Sequence, residues 1–212
     1  MRLYLSSSRL GNHPERLVAF VPPRTRVIIV LNALDNAPQA REEWLASQTA
    51  DLESLGFVVE ELDLRNYFGR PERLASALQG RGLIWINGGN TFLLRRAMRQ
   101  SGFDSAIRAL LASDEIVYAG FSAAACCAAP TLRGIEFVDD PLADAGGYTV
   151  ETLWDGLRLI DYCIAVHYGC QDAQGEGIER AIAYWKSQQT AYLTLRDGEA
   201  VVIDNDKTEV VR

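Results

Sequence analysis

The stretch IVYAGFSAAA, residues 116–125, indicates how this chain folds. Its first part, Ile116–Ala119, is a short apolar run of the kind found in a strand buried on both faces of a sheet. After Gly120, small residues surround Ser122 and continue into a segment that favours a helix. A strand that turns sharply into a helix at a serine is typical of a nucleophile elbow, which presents the hydroxyl at the edge of the sheet. A serine that merely caps the helix is the simpler alternative.

The alternation of strand and helix continues in both directions from this stretch. The predicted strands are Arg2–Leu5, Arg26–Leu31, Phe57–Leu62, Leu83–Ile86, Ile116–Ala119, Cys163–Val166, Ala191–Leu195, Ala200–Ile203 and Glu209–Val211. The predicted helices are Gln39–Leu55, Pro71–Leu78, Phe92–Gln100, Asp104–Leu111, a small-residue helix after Ser122, and Gly177–Lys186. This order predicts an α/β fold with a mainly parallel sheet and helices on both faces. Asp197-Gly198 predicts a hairpin turn near the C-terminus, and because no composition break interrupts the chain, we expect a single domain over residues 1–212.

Composition excludes several classes of function. The 212 residues contain 21 Lys and Arg against 28 Asp and Glu, so the net charge of −7 disfavours nucleic acid as a partner. No apolar run approaches the ~20 residues of a membrane span, and the N-terminus has no leader-like apolar region. Four cysteines without a C-x-x-C pair are expected to be free, buried thiols rather than metal ligands. We therefore expect a cytoplasmic monomer or homodimer that needs no cofactor or metal.

A second unusual segment, NGGNT at residues 87–91, follows the predicted strand Leu83–Ile86. Ligand sites in open α/β sheets form at the carboxyl ends of the strands, where this segment lies. Adjacent glycines allow backbone N–H groups to turn toward a ligand, and Asn90 or Thr91 is suited to cap the helix that follows. A plain tight turn between strand and helix is the alternative.

A serine nucleophile requires a base, and the chain has only two histidines. His13 lies in a polar loop and is expected to be solvated. His167 comes directly after the predicted strand Cys163–Val166, so it emerges at a strand's carboxyl end and is the candidate base, although a structural histidine is also common there. A carboxylate should orient the imidazole. Asp197 is our choice for this role; the alternatives are Asp139, Asp140 and Asp172.

In combination, these motifs resemble the dipeptidase E (aspartyl dipeptidase) family of serine peptidases, which also includes cyanophycinases. The segment GGNTFLL (88–94), the elbow GFSAAA (120–125) and the nearby Pro130-Thr131 match the family's pattern. His167 and the turn LRDG (195–198) stand where the family has its histidine and its acidic residue. The resemblance extends over nearly the whole chain.

The resemblance implies a three-layer α/β/α sandwich like that of class I glutamine amidotransferases (flavodoxin-like), with serine in place of their cysteine. It implies a serine-type hydrolase of small, dipeptide-like substrates in which Ser122, His167 and Asp197 act through an acyl-enzyme. The N–H groups of Gly89 and Ala123 would form the oxyanion hole. The candidate substrate-binding residues are Asn90, Thr91 and Arg180.

Two departures from the family pattern affect these expectations. Ala124 replaces the second glycine of the elbow, and its methyl group is expected to crowd the turn. The arginine that recognises an acidic N-terminal residue is also missing, because Ile178 stands at the matching position, so the sequence does not predict acidic dipeptides as the substrates. Asp172 and Glu176 could instead receive a basic side chain, as in a cyanophycinase.

Two other functional interpretations remain open. The first is a non-catalytic member of the same fold that binds an amino acid or a peptide. The second is a cysteine enzyme that uses Cys126 or Cys127, although both fall one turn into the elbow helix, where side chains should face neighbouring helices.

Overall fold

The computed structural model describes all residues, 1–212, and contains nine strands. They are β1 (Arg2–Ser6), β2 (Arg26–Val30), β3 (Val58–Glu61), β4 (Leu83–Ile86), β5 (Val117–Phe121), β6 (Cys163–Ala165), β7 (Tyr192–Thr194), β8 (Ala200–Asp204) and β9 (Lys207–Val211). Seven of them form the central sheet in the order β3-β2-β4-β5-β1-β8-β9. The first five strands of the chain are parallel to one another, and β8 and β9 add an antiparallel edge. The predicted α/β fold with a mainly parallel sheet is confirmed.

Seven helices cover the sheet. They are α1 (Pro14–Val18), α2 (Pro38–Ser54), α3 (Pro71–Leu78), α4 (Thr91–Ser101), α5 (Phe103–Ala112), α6 (Ala123–Ala128) and α7 (Ala173–Ser187). The short helix α1 was not predicted, and α7 begins four residues earlier than predicted because the Asp172 carboxylate accepts a hydrogen bond from the Gly175 N–H at 2.9 Å. None of the helices is both long and apolar enough to cross a membrane.

Both faces of the sheet are apolar, which explains the uninterrupted hydrophobic runs in the sequence. In β2, Ile28 and Val30 point into a cluster of 45 buried residues, and Val27 and Ile29 point into a smaller cluster of 16 on the opposite face. Strand residues alternate between faces, so a strand covered on both sides must be apolar throughout. The result is the three-layer arrangement that was expected.

The structure corrects the prediction of a hairpin at Asp197-Gly198. Strand β7 does not pair with β8; it pairs in parallel with β6 in a separate two-stranded sheet. The turn at Asp197-Gly198 therefore carries the chain from the small sheet to the main one. The C-terminal hairpin joins β8 to β9 instead and turns at Asn205, whose φ of 54° suits a tight turn.

Candidate active site

Three neighbouring strands of the main sheet, β4, β5 and β1, end beside one another. Gly89 follows β4, Ser122 follows β5 and Ser7 follows β1. Parallel strands that share a direction bring the residues after their carboxyl ends to one edge, so the topology places these three residues together.

The turn at Ser122 has the backbone strain of a nucleophile elbow. Ser122 stands at the N-cap position of α6 with φ 52° and ψ −109°, but its side chain makes no capping hydrogen bond, so the hydroxyl is not used to cap the helix. Gly120 makes room for this turn, since a Cβ there would lie 2.3 Å from the Ile86 carbonyl oxygen and 2.6 Å from the Ala124 methyl carbon. The crowding expected from Ala124 is thus accommodated, because its methyl group packs over a residue that has no side chain.

Ser122 is connected to an acid through an imidazole. His167 Nε2 lies 3.1 Å from Ser122 Oγ, and His167 Nδ1 lies 2.7 Å from Asp197 Oδ1. The small parallel sheet brings the two residues together, because β6 ends just before His167 and β7 ends shortly before Asp197. Just beyond the strands, the Tyr168 N–H donates to the Leu195 carbonyl oxygen at 3.0 Å. The imidazole is only 11% exposed, whereas the Asp197 carboxylate is 47% exposed.

The other acids considered at the sequence level do not reach the imidazole. Asp172 caps α7, Asp140 accepts from the Leu142 N–H, and Asp139 accepts from the Thr91 N–H. Asp197 is the carboxylate whose oxygen lies within hydrogen-bond distance of His167.

Ser7 is a site residue that the sequence reasoning did not identify. Its hydroxyl donates to Asp197 Oδ1 at 2.9 Å and accepts from the His167 N–H at 2.8 Å, and the residue is fully buried. Ser7 therefore holds the Asp197 carboxylate and the His167 backbone in one position. The sequence signal for Ser7 was its location directly after an apolar strand. That signal did not single it out, because a serine stands on each side of it in the sequence.

The backbone N–H groups of Gly89 and Ala123, near Ser122, have no acceptor within the chain. Gly89 has φ 134°, and a Cβ there would lie 2.6 Å from the Ala33 carbonyl oxygen, so only glycine fits this turn. The two residues predicted for an oxyanion hole thus follow neighbouring strands and keep free donors.

Behind Ser122 lies a small inner cavity of about 90 Å³. Its lining residues are Gly89, Thr91, Ser122, Cys126, Ile135, Val138, Asp139, Val166, His167, Gln174 and Ile178. No lysine or arginine is among them. Asp139 makes no ion pair in the protein, and burial raises the pKa of its carboxyl group, although the Thr91 N–H at 2.8 Å counteracts this in part.

A wider outer cleft of about 340 Å³ shares Gly89, Ser122, His167 and Gln174 with the inner cavity. It also includes Trp44, Cys170, Asp172 and Asp197. Cys170 is the one cysteine that is not buried, which corrects the expectation of four buried thiols. Its Sγ lies 3.7 Å from Asp197 Oδ2.

The cysteines of the elbow helix are not activated. Burial raises the pKa of both the Cys126 and the Cys127 thiol. Cys126 lines the inner cavity, contrary to the expectation that it would face only neighbouring helices. A buried thiol with a raised pKa is a poor nucleophile, so the cysteine-enzyme interpretation gains no support.

The three predicted substrate-binding residues have different positions. Thr91 lines the inner cavity. The Asn90 side chain accepts from the Leu93 N–H and donates to the Asp140 carbonyl, and it lines neither cavity. Arg180 is exposed and stacks over the Phe137 ring at 4.5 Å, so the structure does not bring it to the site, contrary to the prediction.

Comparison with known proteins places this geometry in context. The model of peptidase family S51 matches residues 8–211. An uncharacterized peptidase of Listeria innocua is 32% identical over 158 residues, which cover 74% of this chain and 67% of that protein. An uncharacterized peptidase of Pasteurella multocida is 24% identical over 95% of this chain and 87% of its own length. A crystal structure of a candidate peptidase E protein from Listeria monocytogenes superposes with a TM-score of 0.79 at 24% identity, covering 100% of this chain and 98% of that one.

Proposed function

Because the chain belongs to peptidase family S51 and is therefore a peptidase, we propose that it acts as a serine peptidase with Ser122 as nucleophile. His167 is the general base, and Asp197 holds the imidazole in the tautomer whose Nε2 faces Ser122. The observation that carries this proposal is the continuous chain of hydrogen bonds from Ser122 Oγ through His167 to Asp197, at 3.1 and 2.7 Å.

The chemistry follows from these positions. Ser122 Oγ attacks a peptide carbonyl carbon while His167 Nε2 takes its proton, and the imidazolium then gives that proton to the leaving amine. The acyl-enzyme is hydrolysed by a water that His167 activates in the same way. The N–H groups of Gly89 and Ala123 donate to the oxyanion, and each such donor contributes about 3–4 kcal/mol to the transition state.

The inner cavity suggests which peptides the enzyme accepts. Its volume of about 90 Å³ is well below the ~300 Å³ at which drug-sized ligand sites begin, so it suits one small residue. Apolar side chains such as Ile178 and Val166 line it. The cavity also contains one carboxylate, that of Asp139, which forms no ion pair within the protein. We therefore propose short peptides whose first residue is small and uncharged, with the free α-ammonium group bound by Asp139.

A library of dipeptides with varied first residues, offered to the wild type and to Ser122→Ala, tests the activity. We expect hydrolysis by the wild type, best for small neutral first residues, and none above background by the variant. Matching circular dichroism spectra and melting temperatures would show that the variant is folded. If the wild type hydrolyses no dipeptide but its melting temperature rises with added peptide, the protein is a binding member of the family and the proposal is wrong.

A further inference from the structure

Three metal-ligating atoms converge in the outer cleft. They are an imidazole nitrogen of His167, Cys170 Sγ and an Asp197 carboxylate oxygen, and all lie within 4.8 Å of one another. Nδ1 is the His167 nitrogen that faces this carboxylate, at 2.7 Å from Oδ1. Nitrogen, sulfur and oxygen ligands together are the set that Zn²⁺ prefers, whereas Mg²⁺ and Ca²⁺ prefer oxygen alone. This cluster differs in kind from an acidic patch, because each of its members is a different donor type.

The spacing of these atoms suits a tetrahedral ion. Zn²⁺ binds sulfur at about 2.3 Å and nitrogen or oxygen at about 2.0–2.1 Å, so its ligands stand about 3.3–3.6 Å apart. Cys170 Sγ and Asp197 Oδ2 are already 3.7 Å apart. The Asp197 oxygen that faces His167 is the other one, Oδ1, at 2.7 Å from Nδ1. The half-exposed carboxylate must therefore rotate to place a single oxygen at about 3.3–3.6 Å from both Nδ1 and Sγ.

We propose that this His167–Cys170–Asp197 cluster reversibly binds Zn²⁺ or another thiophilic divalent cation, and that the bound ion switches the peptidase off. The ion would reach the cluster through the outer cleft, where Asp172 adds a further negative charge beside Cys170. Three protein ligands leave the fourth coordination position to water.

Inhibition follows from the proton positions. In the active arrangement Nδ1 carries the proton and donates to Asp197, which leaves the Nε2 lone pair to accept the Ser122 proton. A metal ion on Nδ1 needs that nitrogen's lone pair, so the imidazole proton must reside on Nε2, while the Cys170 thiol releases its own proton to solvent. His167 then presents N–H to Ser122 and cannot act as a base.

The effect on activity rests on the proposed serine mechanism, but the binding does not. The ion competes with the hydrogen bond between His167 and Asp197, so we expect binding that a chelator reverses. The three buried cysteines contribute no ligand to this cluster, which makes Cys170 the residue that sets the preference for thiophilic ions.

Titration with Cd²⁺, followed by its ultraviolet thiolate-to-metal charge-transfer band, tests binding without reference to catalysis. We expect one equivalent to bind to the wild type and to Ser122→Ala, and no band for Cys170→Ser. In dipeptide assays, Zn²⁺ should inhibit the wild type and EDTA should restore it, whereas Mg²⁺ at the same concentration should have no effect.

Two serine variants separate this site from other thiols. Relative to its own metal-free rate, Cys170→Ser should need at least about tenfold more Zn²⁺ for half-inhibition than the wild type. Cys163→Ser, which replaces a buried thiol, should behave like the wild type. The absence of a band in the wild type, or unchanged Zn²⁺ sensitivity in Cys170→Ser, would overturn the proposal. A band in a protein without peptidase activity would support the metal site but contradict the proposed function and, with it, the inhibitory role of the ion.

Discussion

The two halves of the candidate site are built in different ways. The nucleophile half, Ser122 with Gly89, is placed by backbone at the ends of adjacent strands in a seven-stranded sheet. The base half, His167 with Asp197, comes from a two-stranded sheet and is held together by side-chain hydrogen bonds. The comparison shows that strand order and one strained turn fix the position of Ser122, whereas the orientation of the His167 imidazole depends on polar side-chain contacts that single substitutions can remove.

The largest effect should come from the base half. Asp197→Asn keeps the shape of the side chain but favours the wrong imidazole tautomer, so we expect kcat to fall by about 10⁴-fold with little change in KM. Steady-state kinetics on the best dipeptide measures this. A loss of less than about tenfold would show that the half-exposed Asp197 carboxylate does not control the imidazole, and that the base half does not depend on its side-chain hydrogen bonds.

Asp139 should affect binding more than chemistry. Because Asp139 is expected to hold the substrate's α-ammonium group, Asp139→Asn should raise KM for free dipeptides by about 10- to 100-fold, the range expected when a buried charge-assisted hydrogen bond is lost. N-acetylated peptides should be poor substrates for both proteins.

The pH dependence gives a second test of Asp139. Burial raises the pKa of its carboxyl group, and only the ionised form attracts an ammonium group. In the wild type, KM should therefore rise as the pH falls through this raised pKa, and Asp139→Asn should lack that component. Equal KM profiles for the two proteins would remove Asp139 from substrate recognition.

The smallest effect should come from the contact that joins β1 to the base half. Ser7→Ala removes the hydroxyl that bonds both Asp197 and the His167 N–H, so we expect kcat to fall by about tenfold, in keeping with the effect of a residue that orients a catalytic group. Ser7→Thr, which keeps the hydroxyl, should recover part of the loss. If both variants have wild-type kcat, Ser7 does not position the base half.

The same contrast explains what could be predicted from the sequence. The elbow at Ser122 and the turn at Gly89 follow strongly apolar strands, and their backbone requirements restrict the residue types, so strand-to-helix patterns marked both as candidates. Their roles came from the family resemblance. The small sheet could not be predicted, because short strands such as Tyr192–Thr194 carry no mark of their partner, and Asp197-Gly198 has the residues of a hairpin turn. The contacts of Ser7 and the position of Arg180 away from the site could not be predicted either, since side-chain contacts depend on how separate elements pack.

Fluorophosphonate labelling tests the central claim most directly, because the reagent reacts with a serine that a neighbouring base activates. Intact-mass analysis and peptide mapping should show one label per chain, located on Ser122, with no label on Ser122→Ala and much slower labelling of His167→Ala. A folded wild-type protein that remains unlabelled, or that carries the label on another residue, would contradict the assignment of Ser122 as the nucleophile.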